Sequence, residues 1–265
     1  MGVRIWLALL AILIALPSLA QTTDPMRNRQ LRVCADPDNL PFSNRAGEGF
    51  ENRIAAVLAG ALGRDLVYAW HPYGIGFLRQ TLLRGRCDVA LGGVRPHEGV
   101  VATRPYLNTG YSLLARTEIL PAGPVVIDDP ILTTLRIGVV TGSPPATHLA
   151  HAGIIGQARP YRPILDRRHD APVDAMLQDL MAGDVQALAV WTPLANWAAA
   201  RSGGALGAVP LADPASAPRL AHEIGLTVRA GDRAWRKLLD QVLAARAGEI
   251  AAILVDYGLG PAAPQ

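Results

Sequence analysis

Side chains that could bind a ligand follow directly after an apolar run near the start of the chain. Asp36, Asp38 and Asn39 come straight after residues 31–35. Their oxygens could hydrogen-bond a solute, but Asx turns after a strand explain the same residues equally well. Calcium binding is a third role that such oxygens can have, although the spacing fits no EF-hand loop. The segment is therefore a polar loop that is a candidate part of a binding site.

Aromatic residues make up only 5% of the chain, yet several fall at predicted strand ends or in loops. Trp191 is the strongest single candidate for a cleft residue. Such a concentration suits a largely apolar pocket or a protein-docking groove, whereas the alternative is that each ring fills a core. The candidate cleft residues, with the neighbouring polar and backbone positions, are Asp36, Asn39, Phe42, Trp70, Tyr73, Phe77, Gly93, Arg95, Tyr106, Thr141, Ser143, Trp191 and Pro193.

No arrangement of residues predicts catalysis. The serines lack the context of a nucleophile elbow, and the chain has neither a GxGxxG motif nor a P-loop. His148 and His151 are three residues apart and could both contact a metal, but such a pair without a nearby carboxylate is more often a solvated helix face. We therefore predict a protein that is not an enzyme and that has no metal and no cofactor.

Cys34 and Cys87 are the two cysteines of the chain, and both fall in predicted strands. In an oxidising compartment two such residues on neighbouring strands lie close enough to form a disulfide. The alternative is two small buried side chains that never pair. We predict the disulfide.

Apolar runs and glycine breaks predict the elements that position these residues. A strand at 31–35 is followed by a helix that starts near Glu51 and ends at Gly63. A strand at 66–70, a helix at 77–84 and a strand at 87–93 come next. This β-α-β-α-β order predicts a parallel sheet with helices on both faces, and ligands of such sheets bind at the carboxyl edge.

A second unit of the same kind follows, with strands at 135–140 and 185–191 and a helix that Asp170 would cap. The predicted fold class is α/β with two lobes, each a small doubly wound sheet, joined by two hinge crossings near residues 113–118 and 222–227. The predicted divisions are a signal peptide at 1–20, a flexible segment at 21–30, a first lobe at 31–117 and 222–265, and a second lobe at 118–221.

Export is predicted by the N-terminus. Arg4 precedes an apolar run of about a dozen residues, and the small residues Ser18 and Ala20 match a signal-peptidase site, so we expect cleavage after Ala20 and a periplasmic protein without a membrane span.

The formal charge of the whole chain is only +3. Such a balanced surface predicts no nucleic-acid partner.

Seven segments, in order from about residue 31 to residue 260, resemble one family: LRVCADPDNLPFSN, GEGFENRIA, RCDVALGGV, TRPY, SPPATHLA, AVWTPLANWAA and ILVDYGLG. They are similar to the type 2 periplasmic binding proteins, and more narrowly to the J-type proteins associated with methanol dehydrogenase. The resemblance implies a two-lobed periplasmic protein that serves a pyrroloquinoline-quinone methanol dehydrogenase, the lanthanide-dependent type included. It would contact that enzyme or an assembly intermediate and aid maturation or activation. A c-type cytochrome is a second candidate partner.

The same resemblance sets an expectation about ligands. Amino-acid-binding relatives hold the ligand carboxylate with an arginine and the ammonium with an acid, because a buried zwitterion needs both partners. Here Glu98 falls at the arginine position, with Arg95 nearby, and Trp191 falls at the acid position. We therefore expect no amino-acid binding. The alternative function is a receptor that hands another small organic solute to an ABC transporter.

Overall fold

The computed structural model describes residues 24–93, 98–163, 172–213 and 219–260. The predicted signal peptide with its cleavage site, Arg95 and Asp170 lie outside the described residues. The strands of the described part are β1 (Gln30–Ala35), β2 (Asp38–Asn39), β3 (Ser43–Asn44), β4 (Asp65–Trp70), β5 (Val89–Gly93), β6 (Val100–Thr109), β7 (Tyr111–Arg116), β8 (Val125–Val126), β9 (Ile137–Val140), β10 (Arg159–Tyr161), β11 (Ala187–Trp191), β12 (Leu206–Ala212) and β13 (His222–Arg229).

Helices alternate with these strands. The α-helices of the described part are α1 (Phe50–Leu62), α2 (Phe77–Gln80), α3 (Pro144–His151), α4 (Pro172–Ala182), α5 (Thr192–Arg201), α6 (Arg233–Ala245) and α7 (Ala247–Asp256). The helix predicted at 77–84 is instead a single α-helical turn followed by a 3-10 turn at Leu82–Arg84. The Thr81 hydroxyl between them donates to the Phe77 carbonyl at 2.7 Å, a bond that accompanies the break.

The first sheet has the strand order β4-β1-β5-β13-β6. β1 is parallel to β4 and to β5, as the sequence predicts. β13 is antiparallel to both of its neighbours, so the sheet is mixed and not parallel throughout. The reason is that β13 follows the return from the second sheet and enters the first sheet from the carboxyl edge of β5.

The second sheet has the order β10-β9-β11-β7-β12-β8. β7 pairs antiparallel with β11 and with β12. Residues 111–116 were predicted in the first lobe, but this prediction is wrong, because the strand they form lies in the second sheet. The side chains of Leu113 and Leu114 point to opposite faces of that sheet, and each is buried in a separate core cluster. Burial on both faces fits a strand in the interior of the second sheet.

The chain passes between the sheets at Gly110, between the end of β6 and the start of β7. This crossing lies earlier than the predicted one at 113–118, and the return comes before β13, not within it. A Cβ atom built on Gly110 would lie 2.9 Å from the Leu220 carbonyl oxygen, so the two crossing segments approach too closely for a side chain. The Gly110 carbonyl accepts a 2.8 Å hydrogen bond from the Thr192 amide. Both crossings are therefore packed against each other and against the start of α5.

Each sheet has buried clusters on both faces, which fits the predicted doubly wound architecture. One face of the first sheet packs against α1, α6 and α7 through buried residues that include Ile54, Leu58 and Trp235. Its other face packs against a smaller cluster around Phe77 and Leu82. The α/β fold class is confirmed, and no helix in the described ranges has the length and apolar character needed to cross a bilayer.

Two covalent and ionic links fix the first sheet. The predicted disulfide between Cys34 and Cys87 is confirmed, with 5.5 Å between the Cα atoms. The neighbouring Asp88 is completely buried, and its carboxylate accepts hydrogen bonds from Arg32 at 2.6 and 2.9 Å and from Arg229 at 3.4 Å. The Asp88 charge is therefore paired on two sides inside the lobe.

Candidate functional site

The carboxyl ends of β1, β4 and β5 meet at one edge of the first sheet, because these strands are parallel neighbours. In the second sheet, β9 and β11 are parallel and end at Val140 and Trp191. Several of the predicted cleft residues follow these strand ends. Open α/β sheets bind ligands at such edges.

Asp36 joins two loops of this edge. One carboxylate oxygen accepts a 2.6 Å hydrogen bond from the Tyr73 amide in the loop after β4, and the other accepts from the Asp38 amide at 2.8 Å. Asp36 is 5% exposed, and its carbonyl accepts from Ser43. Asn39 lies in the short β2–β3 hairpin and accepts at its carbonyl from the Phe42 amide. The polar loop is therefore held by hydrogen bonds within itself and by one to the loop after β4.

The aromatic residues predicted for the cleft divide into edge and core positions. The Trp70 ring is half-buried, stacks on Tyr68 at 4.4 Å between centroids, and has the Arg45 guanidinium 5.5 Å from its centre. Tyr73 is 50% exposed on the loop after β4. Phe77 was predicted as a cleft residue but is buried beside the disulfide, because α2 turns its ring into that small core cluster. Phe42 is partly buried, with its ring 5.4 Å from that of Phe50.

Glu51, in the first turn of α1, lies close to the end of β5. A Cβ atom built on Gly92 would lie 2.7 Å from its Oε1 atom. The Gly92 amide donates to the Tyr106 hydroxyl at 3.2 Å, so the buried Tyr106 also reaches this edge. Gly93 pairs with Gly225 of β13 and has no side chain to offer.

Burial raises the pKa of Glu51 to about 8. As a whole, the Glu51 residue is partly exposed. Burial also raises the pKa values of Tyr68 and Tyr106, and the nearby Glu51 charge adds to both shifts. These two shifts indicate that the carboxylate lies near both phenols.

Thr141 and Ser143 follow β9 in the second lobe. The Thr141 hydroxyl donates to the Tyr161 carbonyl at 2.6 Å, and the Ser143 hydroxyl donates to the Val140 carbonyl at 2.6 Å. Both protons are thus used to hold the turn before α3. Only the acceptor capacity of the two oxygens remains for a ligand.

Trp191 lies where the two lobes meet. It ends β11 of the second sheet, yet its half-buried side chain packs against the core cluster of the first lobe. Its ring lies 5.1 Å from Tyr111 and 5.6 Å from His222, which begin β7 and β13 at the two crossings. Pro193 is buried in the first turn of α5. Trp191 therefore contacts both lobes.

The two histidines of α3 do not form one surface. His148 is 2% exposed, whereas His151 is exposed. Among the described residues, no group of three or more His, Cys, Asp or Glu side chains is arranged to hold a metal ion.

A cavity of about 480 Å³ opens at the opposite edge of the second sheet. Arg159 of its lining contacts Asp184 at 3.5 Å and the neighbouring Asp179 at 2.9 Å, whereas Arg136 donates to the Gly183 carbonyl. The cavity lies before the first residues of β9, β10 and β11, away from the aromatic edge. Its lining residues are Arg136, Gly156, Gln157, Ala158, Arg159 and Asp184.

Four residues of this region were not predicted from the sequence: Glu51, Tyr68, Tyr111 and His222. Two features of the sequence could have identified Glu51 and Tyr68. Glu51 is an acid in the first turn of a helix that follows the predicted edge loop. Tyr68 is two residues before Trp70, and residues i and i+2 of a strand share a face.

Comparison with known proteins gives the family. The crystal structure of periplasmic binding protein XoxJ from Methylobacterium extorquens AM1 matches with a TM-score of 0.73 and 33% identity, covering 88% of this chain and 100% of that one. The chain belongs to the XoxJ family of periplasmic binding proteins. No protein-family model matches it.

Further comparisons give one partial sequence match and two structures that share the fold. Protein MoxJ from Paracoccus denitrificans is 38% identical over 109 residues, which is 41% of this chain and 37% of MoxJ. The match thus spans little more than a third of that relative. The structure of MxaJ from Methlophaga aminisulfidivorans MPT has a TM-score of 0.75 at 24% identity and shows the shared fold. An ancestral cationic amino-acid binding protein, at 19% identity and a TM-score of 0.68, shares the fold as well.

Proposed function

We propose that this chain is a periplasmic accessory protein of a pyrroloquinoline-quinone methanol dehydrogenase, and that it contacts the enzyme or an assembly intermediate. It is a binding protein without catalysis of its own, exported by a signal peptide that is cleaved after Ala20. The observation that carries the proposal is the match over the whole length of XoxJ. The motif resemblance to the J-type proteins supplies the kind of partner, with a c-type cytochrome as a second one.

The aromatic edge of the first lobe supports a macromolecular partner. On the loop after β4, Tyr73 is 50% exposed and Ile75 is 72% exposed. Arg45 and Arg79 are exposed in the same region, with Arg45 over the Trp70 ring. Exposed apolar side chains beside arginines are typical of protein interfaces. We infer that the dehydrogenase binds to this loop.

The missing charge pair argues against ordinary amino-acid uptake. By the motif resemblance, Trp191 falls at the position where amino-acid-binding relatives have an acid for the ligand ammonium, and an indole offers only one N–H donor. Calorimetry with a panel of amino acids should therefore give no binding heat. Micromolar affinity for any one of them would favour a solute receptor over the accessory function.

Capture from periplasm tests the partner directly. Tagged mature protein, incubated with periplasmic extract of methanol-grown cells of its own organism, should retain the large subunit of the dehydrogenase, identified by mass spectrometry. Purified dehydrogenase should then bind the immobilised chain in a surface plasmon resonance assay. Retention of no dehydrogenase, or retention of transporter subunits from solubilised membranes, would contradict the proposal.

Substitutions in the exposed loop after β4 test whether the dehydrogenase binds there. Replacing Tyr73 and Ile75 together by Ser should weaken dehydrogenase binding at least tenfold, because truncating a central apolar contact costs about 1–3 kcal/mol. Met181→Ser is the matched control, since Met181 is 49% exposed at the end of α4, at the opposite edge of the second sheet. Equal affinities for the double variant and the control would place the contact elsewhere.

A further inference from the structure

A seam between the lobes joins α5 of the second lobe to the end of α7 in the first. The Asn196 side-chain amide donates to the Gly258 carbonyl at 2.6 Å. A Cβ atom built on Gly258 would lie 3.2 Å from the Asn196 Nδ2 atom, so the lobes approach each other closely here. Beside this hydrogen bond the rings of Trp197 and Tyr257 are stacked, with 6.3 Å between their centroids and 18° between their planes. Side chains therefore connect the lobes at a place outside the two crossings.

Each ring of the seam also contacts an arginine of its own lobe. The Arg201 guanidinium lies 4.8 Å from the centre of the Trp197 ring. The Arg53 guanidinium lies 5.9 Å from the centre of the Tyr257 ring and pairs with Asp256 at 2.8 Å. Guanidinium groups pack favourably on aromatic faces. A continuous series of contacts thus runs from Arg201 of the second lobe to Arg53 of the first and passes between the lobes at the two stacked rings.

Both halves of the seam are fixed within their own lobes. The Tyr257 hydroxyl donates to the Glu48 carbonyl, and its ring lies 5.7 Å from the buried Phe50 ring at an interplanar angle of 67°. These two partners flank the start of α1, the segment that follows the polar loop of the candidate site. On the other side, Ala195 of α5 is buried in a core cluster of the second lobe. Lobes that move apart at the seam must therefore separate Trp197 from Tyr257.

We infer that the seam of Asn196, Trp197, Tyr257 and Gly258 is a latch that holds the two lobes at one relative orientation. In binding proteins that close about a hinge, contacts with the solute stabilise the closed arrangement. Here contacts within the chain supply such stabilisation, so the orientation does not depend on a bound solute. The carboxyl edge of the first sheet, which carries the candidate site, then keeps one geometry relative to the second lobe.

Double electron-electron resonance between two spin labels measures the orientation of the lobes. Both native cysteines are in the disulfide, so labels can be attached at two introduced cysteines. Lys237→Cys on α6 and Gln178→Cys on α4 are exposed helix positions, one in each lobe. The labelled protein without added solute should give one narrow distance distribution. A broad distribution, or more than one distance, would overturn the proposal before any seam residue is changed.

Removing the side chains of the seam from α5 gives the second test. Asn196→Ala combined with Trp197→Ala should raise the ratio of displaced to native orientation about 25-fold, because the hydrogen bond and the aromatic pair contribute about fivefold each. A second distance should then appear. Trp197→Phe alone, which keeps a ring at the seam, should stay near the native distribution, and so should the control Met181→Ser, an exposed position on α4.

A variant on the first lobe tests the same seam if the double variant does not fold. Gly258→Ala places a Cβ atom against the Asn196 amide and should also add a displaced orientation. A packing contact that adapts to every orientation predicts no change instead. An unchanged distance distribution in whichever of these variants folds would therefore overturn the proposal. The measurement uses the isolated protein, so its result is independent of dehydrogenase capture.

Discussion

Replacing Glu51 by Gln should change how the stability of the protein depends on pH. The pKa of Glu51 is raised from 4.5 to about 8 in the folded protein, so the folded state keeps its proton to a higher pH than the unfolded chain. The stability that this provides is complete below about pH 4.5 and is lost as the pH rises through about 8. Gln has the shape of the protonated acid and cannot ionise.

The size of the effect follows from the shift. About 3.5 pKa units correspond to at most about 5 kcal/mol, and because Glu51 keeps some solvent contact we expect about 2–4 kcal/mol. Glu51→Gln should therefore match the unchanged protein near pH 4.5 and be more stable by this amount at pH 9. Between these values the difference should grow by up to about 1.4 kcal/mol per pH unit.

Urea unfolding at several pH values measures this difference. The free energies of unfolding of the unchanged protein, Glu51→Gln and the exposed-site control Glu48→Gln are compared at each pH. Tyr68 and Tyr106 have raised pKa values and do not titrate in this range, so they do not obscure the result. A constant difference between Glu51→Gln and the unchanged protein from pH 5 to pH 9 would refute the claim that burial raises the pKa of Glu51.

Three further variants test the links that hold the lobes. Changing both Cys34 and Cys87 to Ser should lower the free energy of unfolding by about 4 kcal/mol, because the bridge joins residues 53 apart in the chain; a loss below 1 kcal/mol in urea unfolding would contradict this. Asp88→Asn should cost about 3–5 kcal/mol in the same assay, since it leaves two arginines without their buried partner; a cost below 1 kcal/mol would show that the ion network contributes little. Asn196→Ala should remove the 2.6 Å hydrogen bond to the Gly258 carbonyl, cost about 1 kcal/mol and speed amide hydrogen exchange in α5, and unchanged exchange would rule out a lobe-to-lobe role for the bond.

The sequence predicted the elements whose apolar pattern is local. The strand at β1, the helix α1 with its end at Gly63, and the strand at β11 lie within two residues of the predicted bounds. The disulfide was predictable because strand neighbours in an oxidising compartment are commonly close enough to pair. These features depend on periodicity and compartment, both of which a single sequence carries.

β6 and β12 were not predicted, because their sequences are poor strand formers. β6 contains Arg104, Pro105 and Asn108, and β12 contains Pro210. They are strands because distant segments supply their partners, β13 for β6 and β7 for β12. Long-range pairing with β11 and β12 likewise places β7 in the second sheet. Strand propensity depends so strongly on tertiary context that local pattern could not decide these cases.

The position of the site at the carboxyl edge of the strands could be predicted from the sequence, but the chemistry of its residues could not. The aromatic residues Trp70, Tyr73 and Trp191 lie at strand ends or in loops, as the alternation of elements implied. Phe77 is instead a core residue, because a break at Thr81 reorients its turn. Glu51 was predicted only as part of a helix start, because its position beside Gly92, 41 residues away in the chain, depends on the fold.

Contacts beyond the two crossings limit hinge motion in this protein. Asn196 of α5 donates to the Gly258 carbonyl, and Trp197 stacks on Tyr257 at 6.3 Å, so the second lobe is docked on the end of the first. Separating the lobes about Gly110 would break one hydrogen bond and one aromatic pair, about 1 kcal/mol each, besides exposing Trp191. A rearrangement that costs a few kcal/mol leaves the other state populated at a few per cent or less. The exposed loop that carries Tyr73 lies outside these contacts, so a protein partner could bind there without any movement of the lobes.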